Sequence, residues 1–446
     1  MNPTQTVTVI GGGLSGLSTA TRLAEKGLRV SVFEKRNTLG GRASSTWDPE
    51  THELIDNCQH VLLSSSTQLI DFYRRLQIES KITFHDEFLF IEPGGQTSKL
   101  TPSKWPFPFH LLPSFFNLKF LAPKDKWAIL KALILMAFTS KRQLTYLHSI
   151  SFLDWLKQHH QTNLAIERFW RVIVVSALNE DLKRVSAYYA FKIFRETFLK
   201  NKTGHQMGIP NVPLSEIYSK PVIEYLERCH GKVFFQKKAE KINIENNRVK
   251  EIIFKDGSVV QSDFYVLALP FYELLEILPR QVIEQNNLDP LRNLESSPIT
   301  GIHLFFEEPI TEIESAMLLD RKIQWVFNKT RNFKKWVGKG QYLQLVISAS
   351  REFIPLSKKE VLELVMKELE EFFPKARKVK LKRAIVFKEL YATFSPTPQC
   401  DTFRPEQKTK IANLWMVGDW TKTDWPATME SAVLSGNLAA EDMMNL

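Results

Sequence analysis

The spacing of apolar residues changes period several times along this chain, and the changes divide it. An apolar run over 7–10 enters Gly11, Gly12 and Gly13, with Gly16 three residues later. Leu14, Leu17, Ala20, Leu23 and Ala24 then recur at helical spacing until Gly27. A β-rich run over 29–33 follows and ends in Glu34. The opening therefore reads strand, glycine turn, helix, strand, acid. A helix is predicted over 66–76 and a hairpin-like pair over 82–100. Prolines and aromatics over 102–123 exclude a regular helix there. The next stretch, to residue 138, is apolar on nearly every face, so it is either buried or in contact with lipid, and it is too short to span a bilayer.

Helical patterning continues to about residue 200. Ser151 is placed to cap one helix. Ile166, Phe169, Trp170, Ile173, Val174 and Ala177 share one face of another, as core or as the wall of a greasy pocket, and Asn179 lies just beyond it. Near Gly208 the pattern shifts to a helix feeding a strand. A β-meander over 238–270 follows, turning at 255–258. Period-two runs then appear at 299–306, 322–327, 342–348 and 380–390, interrupted by a helix over 358–373. The end repeats the opening logic. A buried strand over 414–417 meets Gly418 and Asp419, and a helix starts after Pro426. Ala432, Ser435, Gly436 and Ala439 give that helix one side of small residues for close packing.

This is an α/β pattern, a Rossmann-type domain with an α+β domain interleaved. The boundaries drawn from it assign 1–95, 208–290 and 396–446 to the nucleotide domain, and 96–207 and 291–395 to a substrate and membrane-docking domain. In the glycine turn the first glycine permits the bend. The second admits a pyrophosphate, and the third lets helix and strand pack closely. The helix start offers N–H groups and partial positive charge to phosphates. Glu34 stands where an acid accepts from a ribose hydroxyl. Gly40, Gly41 and Arg42 form a second glycine turn with a cation, suited to a pyrophosphate. The polar cluster Asp56, Asn57, Gln59 and His60 reads either as a turn or as a polar wall of the pocket.

Composition sharpens the picture in two places. Cys58, Cys229 and Cys400 are odd in number and scattered, which argues for a reducing, cytoplasmic setting without a disulfide framework. No signal peptide is expected, because the first strand starts within a few residues of Met1. The net charge of +10 is concentrated. Residues 99–142 hold eight Lys or Arg against one acid, Asp125, and eight Trp or Phe among them. That mixture disfavours duplex nucleic acid and fits a protein that sits peripherally on the inner face of the cell membrane. The alternative is an aromatic core with a lysine rim.

These pieces, in this order, resemble the flavin amine oxidase and phytoene desaturase superfamily. The GGR turn and the carboxyl-terminal GDW and PATMESAVLSG stretches carry the resemblance, and they point to FAD rather than NAD. By that resemblance the cofactor is held by Gly11, Gly13, Leu14, Ser15, Gly16, Glu34, Lys35, Gly41, Arg42, Ala239, Gly418, Asp419, Thr428 and Met429. Glu34 meets the adenosine ribose and Arg42 lies near the phosphates. Ala239 meets the adenine, Asp419 the ribityl or phosphate side, and Thr428 and Met429 the isoalloxazine. No metal is implied. Within the superfamily the stretches IDNCQHVLL, RFWRVIVVSALNEDLKRVSA, RETFL and GIPNVPLSEIYSKPVIEYLE are similar to the squalene-associated branch, the hydroxysqualene dehydroxylases of hopanoid synthesis. That branch implies a long-chain isoprenoid substrate, hydroxysqualene, reduced to squalene with loss of water. His60 is the candidate acid, and Asn179 would orient the hydroxyl. A phytoene-type desaturase is the alternative, and a non-catalytic prenyl-binding protein a more distant one. Cys58 and Ser431 stand where the superfamily commonly has glycine.

Overall fold

A computed structural model describes residues 5–333, 338 and 340–445. Five parallel strands form the sheet that the opening residues predict. Their order is Lys232–Phe234, Arg29–Phe33, Thr6–Ile10, Phe264–Leu267 and Leu414–Met416. Val9 lies opposite both Val32 and Val266. The strands Phe264–Leu267 and Leu414–Met416 are buried on both faces, as a parallel sheet covered on two sides requires. Three chain segments far apart in sequence thus meet in one sheet. The strand over 264–267 was expected to close the β-meander; it joins the parallel sheet instead, leaving a three-stranded antiparallel sheet of Ala239–Glu245, Arg248–Phe254 and Val259–Val260.

The opening helix, Leu14–Glu25, packs on the closing helix, Met429–Met444. Gly436 makes this approach possible, since a Cβ there would stand 2.4 Å from the Ser15 carbonyl oxygen. Ser18 Oγ donates across the contact to Asn437 Oδ1 at 2.8 Å. The small residues of the closing helix thus fit it to another helix.

The second layer is a seven-stranded sheet. Its order is Leu381–Phe394, Ser296–Phe306, Gln341–Ser348, Trp325–Asn328, Ser315–Leu318, Phe88–Ile91 and Thr97–Leu100. Alternation sorts its faces. Ile302, Leu304, Leu345 and Ile347 pack against the helix Lys358–Phe372 through Val361, Val365 and Leu369. Ile299, Trp325, Phe327 and Val346 face the other way, into a cavity. Two boundaries shift. The hairpin of 88–91 and 97–100 belongs to this sheet, so the division at residue 95 cuts through a strand pair. The strand Ile82–His85 leaves that hairpin and pairs with Met207–Pro210.

Candidate functional site

One continuous cavity of about 700 Å³ runs from the carboxyl edge of the parallel sheet to the inner face of the seven-stranded sheet. The glycines at its start divide by function. Gly11 has φ +106°, and a Cβ on it would lie 2.4 Å from the Ala268 carbonyl oxygen. A Cβ on Gly16 would lie 2.1 Å from the Gly11 oxygen. Both positions therefore serve the packing of turn, helix and strand, and Gly16 does not reach the cavity wall. Gly13 differs. A Cβ there would meet nothing nearer than Gly41 Cα at 4.0 Å, so the turn is open on the cavity side. No side chain caps the helix that follows, and Leu14 and Ser15 of its first turn line the wall. An open cradle against an uncapped helix start is a fit for a pyrophosphate.

Glu34 closes the turn. Its Oε2 accepts from Gly12 N at 2.7 Å and its Oε1 from Arg36 N at 2.8 Å. Carboxylate oxygens keep further lone pairs for a sugar hydroxyl, so Glu34 shapes the turn and still faces the cavity. Lys35 is held by Glu273, with Nζ–Oε1 at 2.5 Å. The second glycine turn sits against the first, with Gly40 N donating to the Gly12 oxygen at 2.8 Å. Arg42 lines the cavity with its guanidinium already held by the protein. Its Nη2 pairs with Asp419 at 2.5 Å and its Nη1 donates to the Ala392 oxygen at 3.0 Å. Burial alone would lower the Arg42 pKa, but Asp419, with Tyr272 and Glu389, more than offsets this and raises it. Cation and acid, read from sequence as serving separate parts of the cofactor, form one pair in the wall.

Ala239, Gly418, Asp419, Thr428 and Met429 also line the cavity, as do Gly41 and Lys35. Thr428 caps the closing helix through Oγ1, which accepts from Ser431 N at 3.1 Å. The acid in that helix's first turn, Glu430, turns to another element. It accepts from the backbone N–H groups of Gln68 and Leu69 at 3.0 and 2.8 Å, capping the helix Thr67–Arg75. Burial raises the Glu430 pKa and these two donors only partly offset it.

Sequence reasoning missed the residue that organises the Asp419 loop. Arg404 is buried and donates from Nη2 to the Asp419 backbone carbonyl oxygen at 3.1 Å and to Thr423 Oγ1 at 3.1 Å. Its Nη1 bonds Asp401 at 2.8 Å. Arginine in a loop carries no pattern, and only its burial exposes the role. Lys329 was missed for the same reason. It is fully buried, pairing with Asp56 at 3.1 Å and donating to Gln59 Oε1 at 2.9 Å. Asp56 also accepts from Ser45 Oγ and Leu214 N. Asp56 is thus structural, while Gln59 and His60 line the cavity.

The two proposed catalytic side chains behave differently. Asn179 is in the left-handed conformation at the end of the helix Arg171–Leu178. Its amide nitrogen donates to the Ser297 oxygen and to Thr393 Oγ1, both at 2.9 Å, and its oxygen accepts from Ala349 N at 2.7 Å. Those bonds use both amide hydrogens and one lone pair of Oδ1, so Asn179 ties helix to sheet while it also lines the cavity. His60 does face the cavity. Its Nδ1 lies 3.1 Å from the Cys58 carbonyl oxygen, an acceptor only, so Nδ1 carries the hydrogen and Nε2 keeps a lone pair. Burial lowers the His60 pKa. The lowered pKa favours the neutral imidazole, whose Nε2 can accept a proton, whereas the acid read from the sequence needs the charged form. Burial pushes the neighbouring Cys58 thiol up to about 12, so it stays protonated.

Beyond this polar rim the cavity is apolar. Phe88, Phe90, Leu100, Met317, Trp325 and Phe327 form one wall. Ile173, Ala177, Ile193 and Phe198 form the other, from helices that each contain a π-helical turn, Ile166–Trp170 and Arg195–Leu199. An extra residue per turn is a common device for re-aiming side chains at a site. Ile166, Phe169, Trp170 and Val174 go to the core. The single apolar face read from sequence is therefore divided between core and cavity.

An anion-binding turn that opens directly into an apolar chamber is the arrangement of a nucleotide-cofactor oxidoreductase. The comparisons with known proteins narrow this class. The chain belongs to the flavin containing amine oxidoreductase family, whose model matches residues 14–444, and its cofactor is FAD. A probable zeta-carotene desaturase of Synechococcus elongatus is 24% identical over 475 aligned positions, spanning 98% of each chain. A 15-cis-phytoene desaturase of the same organism is 24% identical, spanning 98% of this chain and 95% of its own. An oxidoreductase of Methanosarcina mazei matches in structure with a TM-score of 0.75 at 19% identity, over 99% of this chain and 100% of that one. Cyclohexylamine oxidase of Brevibacterium oxydans matches with a TM-score of 0.69 at 16% identity, over 99% of both chains. The structural matches share the fold. These two relatives are named as carotenoid desaturases, whereas the sequence stretches resemble hydroxysqualene dehydroxylases.

Proposed function

We propose that the protein exchanges hydride between FAD and a long-chain isoprenoid lying in the apolar arm of the cavity, in a desaturation of the carotenoid type. The observation that carries the reading is the continuity of the cavity from the open face of Gly13 to the wall of Phe90, Trp325 and Phe327. Gly13, Leu14, Ser15, Glu34, Ala239, Asp419, Thr428 and Met429 would hold the cofactor. When bound, FAD supplies the hydride acceptor. The chain supplies the rest. The apolar arm excludes water and fixes an extended hydrocarbon against the cofactor arm, which turns a bimolecular encounter into a positioned one. Making a double bond also removes a proton from the adjacent carbon. His60 Nε2, unprotonated and facing the cavity, is the group that can take it.

A second reading keeps one specific support. Four sequence stretches resemble hydroxysqualene dehydroxylases, which run the reverse redox sense and need a proton donor. In that reaction His60 would have to act as imidazolium. Product analysis separates the two. The FAD-loaded protein, incubated anaerobically with phytoene, should yield products short of two hydrogens per event by mass spectrometry. Its rate should rise with pH through the depressed pKa of His60 and then level off. Squalene released from hydroxysqualene with reduced flavin, at a rate that falls over the same pH range, would install the second reading. Oxidation of amines with neither isoprenoid consumed would overturn both.

A further inference from the structure

The cavity leaves unexplained a cluster of large exposed apolar side chains over 105–138. The helix Pro123–Ala137 has two apolar faces. Ile129, Ala132 and Met136 are buried on one. Trp127, Ile134 and Leu135 are exposed on the other by 63, 51 and 38%, and Phe138 just past the helix end is 84% exposed. Trp105, Phe109 and Phe116, from the preceding segment, are also exposed. Phe116 meets Trp127 edge-on, with ring centroids 5.6 Å apart, so helix and segment present one surface. A monomer in water leaves so many large side chains exposed together only where something covers them.

The charges around this surface identify what does. Lys104, Lys119, Lys124, Lys131 and Arg142 are exposed. The one acid of the region, Asp125, is buried as a helix cap, accepting from Ala122 N at 2.9 Å and from Thr162 Oγ1 at 2.5 Å. It therefore cancels none of the exposed positive charge. Lys131 stands within the apolar face, on a stem long enough to carry its ammonium to a headgroup. Aromatics in the plane with cations around them match the interface of an anionic bilayer, and no helix among the described residues is long and apolar enough to cross one. Behind the surface, Phe120 packs on Phe90 at 5.0 Å, and Phe90 lines the cavity.

We infer that the exposed face of 105–138 is a docking surface for an anionic lipid bilayer, holding the chain at the interface without spanning it. The inference does not depend on which reaction the cavity supports. Flotation with phosphatidylglycerol-containing vesicles and with purely zwitterionic vesicles tests it on the FAD-loaded full chain. Binding to anionic vesicles is expected. It should weaken by roughly fivefold or more for each cation reversed in K119E/K124E/K131E, and should fall sharply in high salt. Trp127→Ser with Phe138→Ser should lower binding to both vesicle types while flavin content, which reports folding, is retained. No flotation, or flotation indifferent to both variants, overturns the inference. So does a wild-type dimer in solution that the Trp127→Ser and Phe138→Ser pair converts to monomer, since a second copy would then be what covers the face.

Discussion

Gly11 and Gly13 are two residues apart and ask opposite things of a substitution. At Gly11 a methyl group collides with the Ala268 carbonyl, in a backbone conformation that L-residues disfavour by about 1–2 kcal/mol. At Gly13 a methyl group fits the protein, because the backbone there is extended (φ −78°, ψ 171°), but it occupies the cradle. Gly11→Ala should therefore lower the thermal midpoint of the flavin-free protein. Gly13→Ala should leave that midpoint close to wild type while raising the flavin dissociation constant about tenfold or more, ~1.4 kcal/mol. Calorimetry of the flavin-free protein beside a flavin titration reads both. Equal losses of stability in the two variants would remove the distinction. The glycine positions were legible in the sequence because backbone geometry is written in residue type. His60 was legible as a wall residue, but its proton-accepting state was not, since that depends on the Cys58 carbonyl beside it. Asn179 was legible as a polar residue at the cavity wall, but its three hydrogen bonds to distant segments were not.

At the scale of elements, the period-two runs of the seven-stranded sheet were readable, and so was the helix that covers it. What periodicity could not supply is strand order. The short strands Phe88–Ile91 and Ser315–Leu318 pair in parallel across more than 200 residues, and neither carries a local mark of that partnership. The buried Lys329–Asp56 pair is another long-range link, joining the strand Glu53–Asp56 to the short helix Lys329–Asn332. Lys329 Nζ also lies 4.1 Å from the centre of the Phe333 ring. Removing the cation leaves a buried carboxylate unpaired. Lys329→Met should destabilise the protein by about 3–5 kcal/mol. Asn at position 56 in the same chain should restore much of that loss. Chemical unfolding of the single and double variants decides it, and a double variant no more stable than Lys329→Met would show that the pair is not what couples these elements.

Across the whole molecule, the parallel sheet is assembled from residues 6–33, 232–267 and 414–416, and the cavity lies where these segments meet the second sheet. A cofactor along that seam joins both ends of the chain. The same placement explains the error at residue 95. Sequence shows where character changes, whereas a sheet recruits any strand whose edge is free. It also explains why the substrate branch was harder to read than the cofactor. The cofactor arm is made of glycines and charged residues in local motifs. The apolar arm takes Phe90, Ile173, Ile193, Trp325 and Val346 from five separate elements, each indistinguishable from core in its own stretch.

The central claim is that flavin and isoprenoid share one cavity, and flavin absorbance tests it most directly. The oxidised holoprotein, mixed anaerobically with phytoene in detergent, should lose its flavin band in a single turnover, and should keep it with a primary amine such as cyclohexylamine. Bleaching by the amine, with phytoene without effect and hydroxysqualene unable to reoxidise the reduced protein, would contradict the account.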